Sequence, residues 1–147
     1  KVSNMSGSPT LQERIDSADE EFKGLLLRLK NPSATLDEFC RLIREMTLLK
    51  FLLTEEEVTT DELLELSKIS VDKLLYLHDK SVQLGHASVS CTGISSTATK
   101  KVLLILKLQR ELGLQPMPAD EAYKLKTTRA LGENLYFRLR ENGESES

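Results

Sequence analysis

From Thr10 onward the large apolar residues recur every three or four positions. Leu11, Ile15, Ala18, Phe22, Leu25, Leu26 and Leu29 line one face of a predicted first helix. Asn31-Pro32 ends it, because the residue before a proline is held out of the α region. Thr35 followed by Glu38 is a capping box: the hydroxyl accepts from the N3 amide while the carboxylate reaches back to the cap's own N–H. It opens a second helix with Leu36, Phe39, Cys40, Ile43, Met46, Leu49, Leu52 and Leu53 on its apolar face. Thr59 and Glu62 repeat the box ahead of a short third helix carrying Leu63, Leu64 and Leu66. Ser70 is placed to cap a fourth, bearing Val71, Leu74, Leu75, Leu77 and Val82 and stopped near Gly85.

The pattern then lapses. Residues 86 to 97 have no helical period, and loops of that length inside a domain tend to carry function or to be disordered. A fifth helix follows from Thr97 to Leu112, apolar nearly all round its first turns (Val102, Leu103, Leu104, Ile105, Leu106, Leu108) and therefore predicted to sit centrally in the core. Gly113 ends it, and Pro116 and Pro118 bracket a tight link. Ala119 to Leu125 forms a short helix, and Thr128 caps a last one through Leu131, Leu135, Phe137 and Leu139. No stretch alternates with period two, so the fold class is all-α, a helical bundle. An N-terminal helical part, residues 10–85, packs on a C-terminal part, residues 86–140, with disordered tails at 1–9 and 141–147.

Composition changes this picture in three ways. The chain of 147 residues is long enough for a real core. Its longest apolar runs, such as Val102 to Leu106, fall far short of the roughly 20 residues a spanning helix needs. The two cysteines, Cys40 and Cys91, are far apart and form no C-x-x-C pair, which points to a cytoplasmic protein without a disulfide framework. Charge is unevenly distributed: residues 1–96 hold 11 basic against 16 acidic side chains, and residues 97–140 hold 9 against 4. Docking of the two parts on each other is the simpler expectation, and an acidic partner for the basic part the sharper one.

Residues 97–140 resemble the C-terminal two-thirds of an acyl or peptidyl carrier protein. The resemblance rests on a long apolar helix ending in R-E-L-G-L-Q (110–115), a proline-containing link, the segment A-D-E-A-Y-K-L (119–125), the pair Thr127-Thr128 and a closing amphipathic helix. It implies a non-catalytic module that presents a thioester intermediate to biosynthetic enzymes on a 4'-phosphopantetheine arm. In that family a D-S-L motif starts the long helix and its serine bears the arm. Here the serine's place falls near Ala98, or on Ser96 with Ser95 beside it if half a turn is inserted; neither alignment supplies the aspartate. The long helix also carries Lys100, Lys101, Lys107 and Arg110, where family members carry acidic side chains. The resemblance thus implies either a divergent carrier using Ser96 (or Ser95), or a carrier-shaped protein-docking module that has lost the arm.

Other candidate chemistry is sparse. Cys91 lies in a Ser/Thr/Gly-rich loop shortly before a helix N-terminus and near Lys100 and Lys101, features that lower a thiol's pKa and make it a possible reactive thiol. No histidine or acid completes a nucleophile–base pair next to it in the sequence, and an unreactive cysteine packed beneath the loop is the simpler expectation. His78 and His86 are the only histidines and form no i, i+4 metal pair. Glu55-Glu56-Glu57 reads as a solvated turn. No phosphate-binding loop or nucleophile elbow is present, so the chain is not expected to be an enzyme. Residues 60 to 84 have the outline of a helix-turn-helix, but the second helix is nearly neutral and no nucleic-acid partner is expected.

Overall fold

The computed structural model describes residues 10–31, 33–83 and 97–146, with the backbone alone for residues 11, 78–83 and 142–146. The described residues form six α-helices: α1 (Leu11–Leu29), α2 (Leu36–Lys50), α3 (Leu63–Gln83), α4 (Thr97–Glu111), α5 (Ala119–Lys124) and α6 (Thr128–Glu146). The protein is an all-α bundle. Helix α2 packs against both α1 and α6, and α3 packs against α4.

The first two helices start where expected, each on a local signal. Thr10 and Glu13 close a reciprocal box at α1, with Thr10 Oγ1 accepting from the Glu13 N–H at 3.1 Å and Glu13 Oε1 from the Thr10 N–H at 2.8 Å. At α2 the hydroxyl half of the box forms, Thr35 Oγ1 to the Glu38 N–H at 3.2 Å. Helices α2 and α4 end alike. The Leu53 N–H reaches the Leu48 carbonyl and the Leu114 N–H the Gln109 carbonyl, both at 2.8 Å, each across a residue in the left-handed region. That residue is Gly113 (φ 73°) after α4 but Leu52 (φ 58°) after α2, where a side chain opposes the conformation.

Three sequence expectations fail, each because a distant partner takes over a local role. The third and fourth helices are a single helix, α3. Ser70 does not cap: its hydroxyl donates to the Phe51 carbonyl at 2.7 Å, and Ser67 donates to the Leu63 carbonyl at 2.8 Å, so neither hydroxyl competes for the helix's own amides. The helix-turn-helix outline disappears with that turn. The Thr59–Glu62 box gives way to a pairing with the start of α6. The Leu63 N–H donates to the Lys126 carbonyl at 2.7 Å and the Thr128 N–H to the Asp61 carbonyl at 3.0 Å, around an antiparallel bridge between Glu62 and Thr127. Thr127, not Thr128, caps α6, accepting from the Ala130 N–H at 3.0 Å.

Asp61 is the keystone of that junction. One carboxylate oxygen accepts from the Arg44 guanidinium at 2.7 Å and from the Thr128 hydroxyl; the other accepts from the Arg129 N–H at 3.1 Å. Its negative charge therefore sits against the first turn of α6, where the dipole favours it. Arg44 also grips both oxygens of Glu55 and the Thr60 carbonyl, so the Glu55–Glu57 stretch is the exposed turn expected, in 3-10 form and tethered at Glu55. Asp61→Asn keeps one acceptor and loses the charge, and should cost about 1 to 2 kcal/mol in denaturant unfolding. An unchanged midpoint would show that the junction is held by backbone pairing alone.

One cluster of buried side chains spans both halves of the chain: Phe22 and Leu26, Leu42 and Met46, Leu63 and Leu66, Leu104 and Leu108, Leu131 and Leu135. Its centre is α2, where Leu42, Ile43 and Met46 have no exposed surface. Helix α4, expected to be central on all sides, buries one face and leaves Val102, Leu103 and Leu106 49%, 48% and 38% exposed. In α6, Tyr136 rather than Phe137 turns inward, edge-on to Phe39 with ring centroids 5.4 Å apart. The α6 backbone continues to Glu146, through most of the stretch 141–147 expected to be a disordered tail. A lone Gly143 costs a helix only about 1 kcal/mol, and no proline follows.

Candidate functional site

Helix α4 begins at Thr97, so the site expected from the sequence lies immediately before it. Ser95, Ser96, Cys91 and His86 fall outside the described residues, as do the side chains of His78 and Asp79. The two lysines expected to flank that site are described, and both turn into the bundle. Lys101 is buried, donating to the Tyr123 carbonyl at 3.4 Å with its ammonium 5.9 Å from the Tyr123 ring centroid. Lys100 Nζ lies 5.1 Å from the Phe51 centroid. Further along the helix, Lys107 sits 5.3 Å from the Phe22 centroid and pairs with Glu111 at 3.6 Å. Three of the four cations on α4 are thus spent on the aromatic and acidic surface of the same chain, which favours internal docking as the reason for its basic character.

Lys100 enters a cleft of about 250 Å3 between the first half of α1, the end of α2 and the first turns of α4. Ile15, Phe22, Phe51, Leu103 and Leu104 form apolar wall, Leu74 of α3 closes one side, and Asp19, Lys50 and the left-handed Leu52 complete the rim. No carboxylate comes within ion-pair distance of Lys50 or Lys100 among the described residues. Loss of hydration, and secondarily the like charge of Lys50, pull the Lys100 ammonium below the usual lysine range. The cleft is therefore apolar within and cationic at its edge. Sequence reading missed it because the contributing residues come from four helices, and Lys50 and Lys100 carry no shared motif.

Leu52 is held in its strained turn from outside. Lys73 donates to the Leu52 carbonyl and pairs with Glu57 at 2.9 Å. Burial raises the Glu57 carboxyl, but the Lys73 ammonium and the Thr54 N–H and hydroxyl outweigh it and hold the group below the ordinary glutamate range. A depressed carboxyl contributes stability that is present above its unfolded pKa and lost as pH falls through the folded one. The stability gap between the native chain and Glu57→Gln should accordingly narrow on acidification from about pH 5 to pH 3. A gap independent of pH in denaturant titrations would mean that the ion pair contributes nothing.

Cys40, expected in the core, is buried against α6 with its thiol 3.7 Å from the Arg129 carbonyl. Burial raises its pKa despite the nearby Arg129 guanidinium, which makes it a poor nucleophile. Among the described residues no group of His, Cys, Asp and Glu could hold a metal ion, and no helix is long and apolar enough to cross a membrane. Comparison with protein-family models, with curated proteins and with solved structures gives no match.

Proposed function

We propose that the protein is a non-catalytic helical docking module that engages another protein through the outer face of α4. The observation that carries this reading is the exposed pair Val102 and Leu106, one turn apart and 49% and 38% exposed, on a helix whose opposite face is core. The neighbouring α3 adds Leu75 and Tyr76, also exposed. Exposed apolar side chains one turn apart on a helix favour a partner surface over solvent. A photo-cross-linking residue at position 106 should join the protein to a discrete partner in its native cell, and Val102→Glu should abolish that adduct without changing the melting temperature. Failure to form an adduct from any position on this face would overturn the reading.

A carrier role is the second reading, favoured by the order of the last three helices. A long helix, a proline-containing link, a six-residue helix and a closing helix follow one another from Thr97 to the end of α6, as the resemblance to carrier proteins implies. In this reading Ser96, or Ser95, bears a 4'-phosphopantetheine arm whose phosphodiester lies near the α4 N-terminus, with biosynthetic enzymes as partners. Lys100 and Lys101 turn toward Phe51 and Tyr123 of the same chain, which leaves fewer outward cations on α4 to favour a phosphate, and this reading therefore stands second. Intact mass after incubation with coenzyme A and a broad-specificity phosphopantetheinyl transferase separates the two. A gain of one arm that is lost in Ser96→Ala and Ser95→Ala together supports the carrier; an unmodified mass leaves the docking module.

A further inference from the structure

We propose that the cleft between α1, α2 and α4 binds a small anionic amphiphile, an unbranched carboxylate whose alkyl chain lies against Ile15, Leu74 and Leu103 and whose head meets Lys50 and Lys100. Three independent features support this. The cleft, at about 250 Å3, is smaller than a drug-sized site and suits a single narrow chain. It rests on Phe22, Phe51 and Leu104, side chains buried in the core, so the base beneath the exposed lining is fixed before anything binds. Ile15 and Leu103, 37% and 48% exposed, extend that surface to the mouth and would be covered by a bound chain.

The charges choose the head group. Lys50 is close enough to disfavour the charge of Lys100, which is held by a weak contact to the Phe51 ring. A carboxylate between the two ammoniums would relieve their repulsion and provide charge-assisted hydrogen bonds. Asp19 also lines the cleft, but makes no ion pair with either lysine, and it disfavours a ligand with a second negative charge near α1. The chemistry therefore selects a monoanion with an apolar tail over a phosphorylated or dicarboxylic compound.

Decanoate titrated into the full chain, followed by calorimetry and by the chemical shifts of the Ile15, Leu74 and Leu103 methyl groups, tests the site. Decanoate should bind saturably at one site, with decanol and decyltrimethylammonium about tenfold weaker or more. Lys100→Met combined with Lys50→Met should remove the preference for decanoate over decanol. The same pair of changes should leave the fold intact, since it removes one desolvated and one exposed ammonium. Ala18→Phe, which fills the cleft from α1, should abolish binding of all three probes, whereas Asp72→Asn, outside the cleft, should leave binding unchanged. Equal binding of the three probes, shifts scattered over the whole surface, or decanoate binding that persists in both the lysine and the Ala18 variants would each overturn the proposal.

Discussion

Leu104→Ala and Leu108→Ala are each expected to lower the unfolding free energy by roughly 2 to 5 kcal/mol, while Leu106→Ala should cost about 1 kcal/mol or less. Leu104 and Leu108 are fully buried in the shared core, and truncating either leaves a cavity lined by neighbours from several helices. Leu106 is 38% exposed on the opposite face, so part of its side chain is already in water and no closed cavity forms. Denaturant midpoints for the three variants give the comparison directly. Three similar losses would mean that the outer face of α4 is covered in the free protein, and the docking reading would lose its surface.

Gly132→Ala should be destabilising by about 1 to 3 kcal/mol, although alanine is the better helix former and would stabilise an exposed position. A Cβ at residue 132 would stand 2.8 Å from Cys40 Sγ and 3.0 Å from Cys40 Cα. The sulfur is on a short side chain and the Cα is backbone, so α2 and α6 must move apart where Gly132 meets Cys40. Adding Cys40→Ala removes the sulfur contact and leaves the backbone one, so the double variant should recover part of the loss but not all of it. A Gly132→Ala protein as stable as the native chain would show that the two helices separate without cost. By contrast, Gly24 meets nothing within 4 Å of an added Cβ, and Gly24→Ala should be neutral or slightly stabilising.

Gly132 and Gly24 mark the limit of what is legible in the sequence. Residues 131 to 135 read as an ordinary apolar stripe with a glycine between leucines, and nothing local distinguishes Gly132 from Gly24. The difference is that Cys40, 92 positions earlier, lies against one and nothing lies against the other. Asp61 is similar: within T-T-D-E it looks like part of a capping box for the helix that follows, yet its carboxylate serves the N-terminus of α6. The cleft is harder still, because Lys50 and Lys100 are 50 positions apart and meet only when α2 and α4 are placed.

What the sequence determined by itself is the all-α class, the starts of α1 and α2, the end of α4 at Gly113, and the burial of Cys40, Leu104 and Leu108. Each of these follows from contacts within a turn or two of chain, or from an apolar period strong enough to define a face. Tertiary structure decided the rest. Ser70 lies within a continuous α3 because the Phe51 carbonyl takes its hydroxyl. The lysines of α4 turn inward because Phe22, Phe51 and Tyr123 lie beneath them. Which apolar face of α4 remains in water depends on where its neighbours stop, and periodicity alone cannot choose a face on a helix that is apolar nearly all round.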